Sequence, residues 1–310
     1  MQTLIIRPGA IGDTLLTLPV LTYLRTQLGT TPLTFVGNSR VLPILQAFGM
    51  SEASMDYEDP RWSQLFLTPR QQHAPDFFAY LHTFTLAICW LRDSEGCVRQ
   101  NLRAAGIKQI CIVAGRPAPK QQMHITDYLA HSLRPILQYP PVTPLPWQAP
   151  TAYAWQPPTL TTDTIVQRRY IIIQPGSGGK DKCWPLAAFT EVIKQLWQQE
   201  IPVLLLTGPA EQELLHRLQP LLATAPTGLL RRMDNAPLLT IANAMRTARG
   251  YLGNDSGLTH LAALLGLPTT AIFGPSDPLR WHPIGPHVRI LHATDINTIT
   301  PAQVIHSILV

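Results

Sequence analysis

A chain of 310 residues is about twice the length of a usual domain, so two domains are expected, each large enough to bury its own core. Hydrophobic residues make up 45% and charged residues only 14%, against roughly 25% charged in an average soluble domain, which excludes disorder throughout. The net charge of +5 is spread evenly, and no basic run exceeds the pairs Arg168-Arg169 and Arg231-Arg232, so nucleic acid is not expected as a partner.

The N-terminal residues MQTLIIRPGAIGD hold too short an apolar run, interrupted by Arg7 and Pro8, for a signal peptide, and a cytoplasmic protein is expected. Residues 3–6 read as a β-branched strand, 7–12 as a Gly/Pro loop, and Asp13 to Leu28 as a helix with Leu21, Leu24 and Leu28 on one stripe. Further strands are predicted at Leu33–Val36, Leu86–Leu91 and Gln109–Val113, so this half alternates β and α. Residues 51–80 carry an acidic run, Asp56-Tyr57-Glu58-Asp59, and scattered aromatics, and give no clear element. The four cysteines, Cys89, Cys97, Cys111 and Cys183, form no C-x-x-C pair, which argues against a disulfide framework or a structural zinc site.

From Tyr139 to Pro158 the proline density fixes φ, removes donors and forces extended geometry, as in an interdomain linker, and places the boundary at residue 150. Beyond it, strands are predicted at 170–174, 202–207, 250–253 and 269–273, with helices near 186–199, 210–222, 237–246 and 256–265. This order implies an α/β fold with a parallel sheet covered by helices on both faces, whose ligands bind beyond the carboxyl ends of the strands.

The loops at those strand ends are therefore the candidate sites. In Arg7-Pro8-Gly9-Ala10-Ile11-Gly12-Asp13, Asp13 reads either as a helix N-cap or as a carboxylate placed to accept a proton from a hydroxyl. Residues 175–185, PGSGGKDKCWP, combine backbone N–H groups, a hydroxyl and two lysines into a phosphate cradle or, read blandly, a surface turn. Neither common nucleotide fingerprint fits, because Gln174 and Asp181 stand where those motifs need other residues. In Gly253-Asn254-Asp255-Ser256-Gly257-Leu258-Thr259-His260, Asp255 and Ser256 fall at a helix cap with His260 one turn on; G-x-S-x-G fails, since Asn254 and Leu258 replace its glycines. Such a helix start can hold an anion or sugar hydroxyls, or simply be capped, with His260 a core histidine. Gly208-Pro209-Ala210-Glu211 and Phe273-Gly274-Pro275-Ser276-Asp277-Pro278 follow two more strands, and so many Gly-bearing loops at strand ends point to a nucleotide site.

Taken in order, RPGAIGDTLLTLP at 7–19, PGSGGKDKCWP at 175–185, GPAE at 208–211, GNDSGLTHLAA at 253–263 and FGPSDP at 273–278 resemble glycosyltransferase family 9, the family of ADP-heptose:lipopolysaccharide heptosyltransferases. The resemblance covers nearly the whole chain. It implies the GT-B fold, two Rossmann-like domains with parallel sheets facing across a cleft, the acceptor bound by residues 1–150 and the nucleotide sugar by 151–310. Asp13 would correspond to the catalytic base, beside Gly12 on the acceptor side, and Lys182 to the lysine on the donor phosphate. Gly176, Ser177, Gly178, Asp255, Ser256, Gly257 and His260 would be donor contacts, and Glu211 would hold the adenosine ribose. The donor, an ADP-sugar and foremost ADP-heptose, would be a substrate, with no cofactor. The acceptor would be a glycan or lipid-linked, as in a lipopolysaccharide core, which admits a peripheral position on the inner face of the membrane.

Inverting transfer needs a base for the acceptor hydroxyl, positive charge on the departing diphosphate, and an oriented anomeric carbon. Asp13, Lys182 and the Asp255 loop can supply them. Only Asp56-Tyr57-Glu58 approaches a metal-binding D-x-D pattern, so no metal is expected. Two other readings compete: a noncatalytic nucleotide-sugar-binding module, and a nucleotide-sugar 2-epimerase of the same architecture.

Overall fold

The computed structural model describes residues 2–68, 74–137, 139, 141–147, 170–208 and 212–309, without the side chains of 212, 213 and 215. The chain divides into two compact units, Met1–Pro146 and Trp147–Val310, four residues before the boundary expected at 150. Residues 140 and 148–158 of the proline-rich linker lie outside the described residues.

The first unit holds a five-stranded parallel sheet: β1 (Thr3–Arg7), β2 (Leu33–Gly37), β3 (Ala53–Asp56), β4 (Leu86–Trp90) and β5 (Gln109–Val113), in the order β3-β2-β1-β4-β5. Thr3 to Ile6 of β1 pair in register with Leu33 to Val36 on one side and with Leu86 to Cys89 on the other. Every residue of β1, β2 and β4 is buried, because helices cover both faces of a parallel sheet, and this is why those strands read as mostly apolar runs without alternation. One core cluster packs Leu4, Ile6, Val36, Ala87 and Cys89 against Trp62, Phe77 and Phe84.

The second unit holds six parallel strands: β6 (Ile171–Gln174), β7 (Val203–Thr207), β8 (Leu230–Asp234), β9 (Gly250–Asn254), β10 (Thr269–Phe273) and β11 (Val288–His292), ordered β11-β10-β9-β6-β7-β8. The Leu186–Gln198 helix lays Phe189, Val192, Ile193 and Leu196 on Ile171, Ile173 and Leu205. Trp184 fills the same core, edge-on to Phe189 with ring centroids 5.0 Å apart.

Three expectations are corrected. The segment expected as one helix from Asp13 to Leu28 is two helices, Ile11–Leu15 and Leu18–Leu28. Pro19 has no N–H to give to Leu15, so it is accommodated only in the first turn of a new helix. Residues 51–80 contain β3, a 3-10 helix at Pro60–Phe66 and a helix at Pro75–Leu81. Their acidic run is partly that strand, with Asp56 capping the turn by accepting from the Glu58 N–H at 3.0 Å. The edge strands β8 and β11 were not expected; each interleaves exposed and half-buried positions, and the arginines at 231, 232 and 289 hide the strand pattern.

Candidate functional site

Each sheet reverses its strand order once, between β1 and β4 in the first unit and between β6 and β9 in the second. At such switch points the connections run to opposite faces and leave a crevice beyond the carboxyl ends of the strands. Both candidate sites lie there.

In the first unit the loop after β1 delivers Asp13, which is 6% exposed. Asp13 is not the N-cap: that position is Ala10, and Asp13 stands one turn in, where its Oδ2 accepts the Ala10 N–H at 3.0 Å. The carboxylate also receives Arg116, from Nη2 at 2.8 Å and Nε at 3.3 Å, and Arg7 Nη2 at 3.4 Å. Arg7 is almost wholly buried, while Arg116 leaves 63% of its side chain exposed. Burial pulls the Arg7 guanidinium below its ordinary pKa, and Asp13 opposes that shift. Two glycines make room for the cluster. Gly9 holds φ +144, and a Cβ there would lie 2.8 Å from the Asp13 Cβ; a Cβ on Gly115 would lie 2.2 Å from Arg7 Nη1. Gly12 lies in the short helix, its carbonyl accepting from the Leu16 N–H at 3.0 Å.

In the second unit the loops after β6 and β9 are joined by side chains. Lys182 Nζ reaches Asp255 Oδ2 at 2.7 Å, and His260 Nε2 lies 3.8 Å from the other Asp255 oxygen. Asp255 and His260 are buried, whereas 37% of the Lys182 side chain is exposed, so the lysine is the member of the group open to a ligand. Ser177 Oγ donates to the Asp255 carbonyl at 2.7 Å, which makes Ser177 a strut between the loops. Ser256 is the N-cap of the Gly257–Leu264 helix, accepting from the Thr259 N–H at 3.4 Å, and Asp255 stands one residue before it. Gly176 is buried, Gly257 half-buried and Gly178 exposed. A Cβ on Gly178 would meet no atom within 4 Å, so the protein itself leaves that position open. Glu211 lies outside the described residues.

Three residues to which the sequence assigned no role carry this geometry. Asn254 is fully buried; its Oδ1 accepts the Trp184 N–H at 2.9 Å and its Nδ2 donates to the carbonyls of Pro175 and Gly176 at 2.8 and 3.4 Å. Gln174 Oε1 accepts from both Tyr251 and Ser256, at 2.9 and 2.8 Å. Arg116 lies 103 positions from the carboxylate it clamps. Asn254 stands inside the quoted GNDSG motif, a signal in the sequence; Arg116 has none. Trp184 explains the W-P of the second loop: its Nε1 donates to the Ile299 carbonyl at 2.9 Å and roots the loop in the core, and Pro185 caps the following helix.

All four cysteines are free, and burial pushes the Cys89 thiol far up, away from reactivity. Among the described residues no three His, Cys, Asp or Glu side chains gather as a metal site, and no helix is long and apolar enough to cross a membrane.

The model of glycosyltransferase family 9 (heptosyltransferase) matches residues 116–305. Lipopolysaccharide heptosyltransferase 3 of Escherichia coli is 30% identical over 120 residues, 38% of this chain and 35% of that protein. Lipopolysaccharide heptosyltransferase 1 of Pseudomonas aeruginosa is 34% identical over 110 residues, 35% of this chain and 30% of that protein. The match thus spans about a third of the length of these relatives. Among solved structures, E. coli ADP-heptose LPS heptosyltransferase II gives a TM-score of 0.75 at 19% identity, covering 99% of this chain and 97% of its own. E. coli heptosyltransferase WaaC with ADP gives 0.73 at 19% identity, covering 99% and 98%. These likenesses show the GT-B fold.

Proposed function

The chain belongs to glycosyltransferase family 9, and on that premise we propose that it is an inverting, metal-independent transferase that moves heptose from ADP-heptose to a hydroxyl of a glycan or lipid-linked acceptor such as a lipopolysaccharide core. The observation that carries this reading is the Lys182–Asp255 pair, which joins two loops at the switch point of the second sheet and leaves the lysine half-exposed. A departing diphosphate is an anion, and a lysine whose partner is a single buried carboxylate can swing to it, while the N–H groups at the start of the Gly257–Leu264 helix add donors. Asp255, released, then accepts from sugar hydroxyls. The identity of the donor draws on the likeness to E. coli ADP-heptose LPS heptosyltransferase II and to E. coli heptosyltransferase WaaC with ADP.

In the first unit Asp13 takes the acceptor's hydroxyl proton as that oxygen bonds to the anomeric carbon, and the bond from that carbon to the diphosphate oxygen breaks on the opposite face, inverting the centre. Arg7 and Arg116 hold the carboxylate in one orientation, so that the exposed Arg116 must yield part of its contact when an acceptor arrives. Glu211 would hold the adenosine ribose. We place the reaction in the cytoplasm, with a lipid-linked acceptor presented at the inner face of the membrane.

The test is a thermal-shift screen of ADP-, UDP-, GDP- and dTDP-sugars followed by product analysis with and without a heptose-free lipopolysaccharide acceptor. A donor at 100 times its dissociation constant stabilises the native state by about 2.7 kcal/mol. ADP-heptose should give the largest shift, and ADP should be released only with acceptor present. Stabilisation with no turnover would mark a binding module, and sugar isomerisation without acceptor an epimerase.

A further inference from the structure

A groove of about 510 Å³ opens at the amino ends of β9, β10 and β11, with Arg249, Gly250, Thr270, His287, Arg289 and Ser307 in its lining. It lies at the end of the sheet opposite to Asp255, roughly 16 Å along a five-residue strand at ~3.3 Å per residue. It is therefore separate from the loops assigned to the donor. Arg249, His287 and Arg289 are all exposed there, and no lining residue is acidic. Among the described residues none of the three pairs with a carboxylate. Arg289 is pinned, its Nη1 donating to the Ser307 carbonyl at 2.6 Å in the C-terminal helix, which leaves its remaining N–H donors for another partner. Thr270 and Ser307 bond to each other through their hydroxyls at 3.1 Å and supply a neutral wall.

The Arg249 and Arg289 guanidiniums face a groove in which no described lining residue is acidic, so they repel one another, and a bound anion removes that repulsion. The planar guanidinium fork matches pairs of oxygens on phosphate or carboxylate, and two arginines with a histidine suit the higher charge of phosphate. The volume falls within the ~300–1,000 Å³ of small-molecule sites. We propose that this groove is an oxyanion site that takes a phosphate group, borne by a soluble phosphorylated metabolite or by an anionic phospholipid headgroup. The proposal does not depend on the assignment of donor or acceptor.

The test follows the His287 ring resonances by NMR as inorganic phosphate is added to the full chain. Three proteins are compared: wild type, Arg249→Gln/Arg289→Gln, and Lys182→Ala, which leaves the groove intact. Saturable shifts are expected in wild type and Lys182→Ala, with affinity lowered at least about tenfold in the double variant, since charge-assisted hydrogen bonds are lost. Should the double variant melt lower than wild type, Arg249→Gln alone replaces it, because the Arg249 backbone N–H, not its side chain, bonds to Tyr170 at 2.8 Å. Co-sedimentation with phosphatidylcholine vesicles, with and without about 30 mol % phosphatidylglycerol, separates the sources. Retention of wild type but not of the variant on anionic vesicles assigns a lipid headgroup; phosphate binding without retention assigns a soluble ligand. If neither phosphate nor anionic vesicles distinguishes wild type from a variant that melts alike, the groove is only a solvated basic edge and the proposal falls.

Discussion

The switch points of the two sheets carry the same chemical theme built in two ways. Each presents a buried carboxylate, Asp13 or Asp255, with one buried and one exposed basic partner: Arg7 and Arg116 for the first, His260 and Lys182 for the second. The difference lies in what holds the loops. In the second unit neutral hydrogen bonds made by Asn254, Ser177 and Gln174 tie the loops together, so the loops do not depend on the ion pair alone. In the first unit the arginines themselves fix the carboxylate, assisted by the Ala10 N–H and by Asn38 Nδ2, which donates to the Gly9 carbonyl at 3.1 Å. Charged contacts thus hold the first site together, whereas neutral ones hold the second.

The comparison is tested most severely at Asp13. Asp13→Asn should lower transfer at least about a hundredfold, as expected for a lost general base. Because the amide leaves the buried Arg7 without its counter-charge, the variant should also lose more than the about 1 kcal/mol of a missing cap. Near-normal turnover would move the base elsewhere; unchanged stability would show that Arg7 does not depend on Asp13.

Lys182→Ala should act on binding and not on folding. Loss of a charge-assisted contact to diphosphate weakens ADP about ten- to a hundredfold by calorimetry, while the stability loss stays small because water can enter where the 37%-exposed lysine side chain stood and solvate the Asp255 carboxylate. Equal ADP affinity in variant and wild type would reduce Lys182 to a solvated loop residue.

Asn254→Ala reverses the pattern. It orphans the Trp184 N–H and two carbonyls in a buried site, at about 1–3 kcal/mol for each unsatisfied group. Chemical denaturation should therefore show a larger loss than for Lys182→Ala, and a smaller one would mean that Trp184 alone roots the loop.

Smaller effects sharpen the same contrast. Gly178→Ala adds a methyl in open space, so the melting temperature should hold while ADP binding weakens; unaltered binding would place the ligand away from that turn. Least of all, excess EDTA should leave transfer nearly unchanged, and rescue of a chelated enzyme by magnesium or manganese would assign to a metal the role proposed for Lys182.

The sequence by itself determined the parallel α/β architecture and its inner strands, because a strand buried on both faces must be mostly apolar, and that demand is local. It also pointed to the loops after β1, β6 and β9 as the candidate sites, since Gly9, Asp13, Lys182 and Asp255 each follow a strand that is legible on its own. The edge strands β3, β8 and β11 escaped because solvent on one side tolerates arginine and serine where the pattern needs apolar residues. Only the tertiary structure decided the partners. Strand order, not chain distance, brings Arg116 to Asp13, Asn254 to the Trp184 amide and Lys182 to Asp255. Charge and hydrogen bonding act over a few ångströms, so which side chains they join is settled only once the sheets have set their strands side by side.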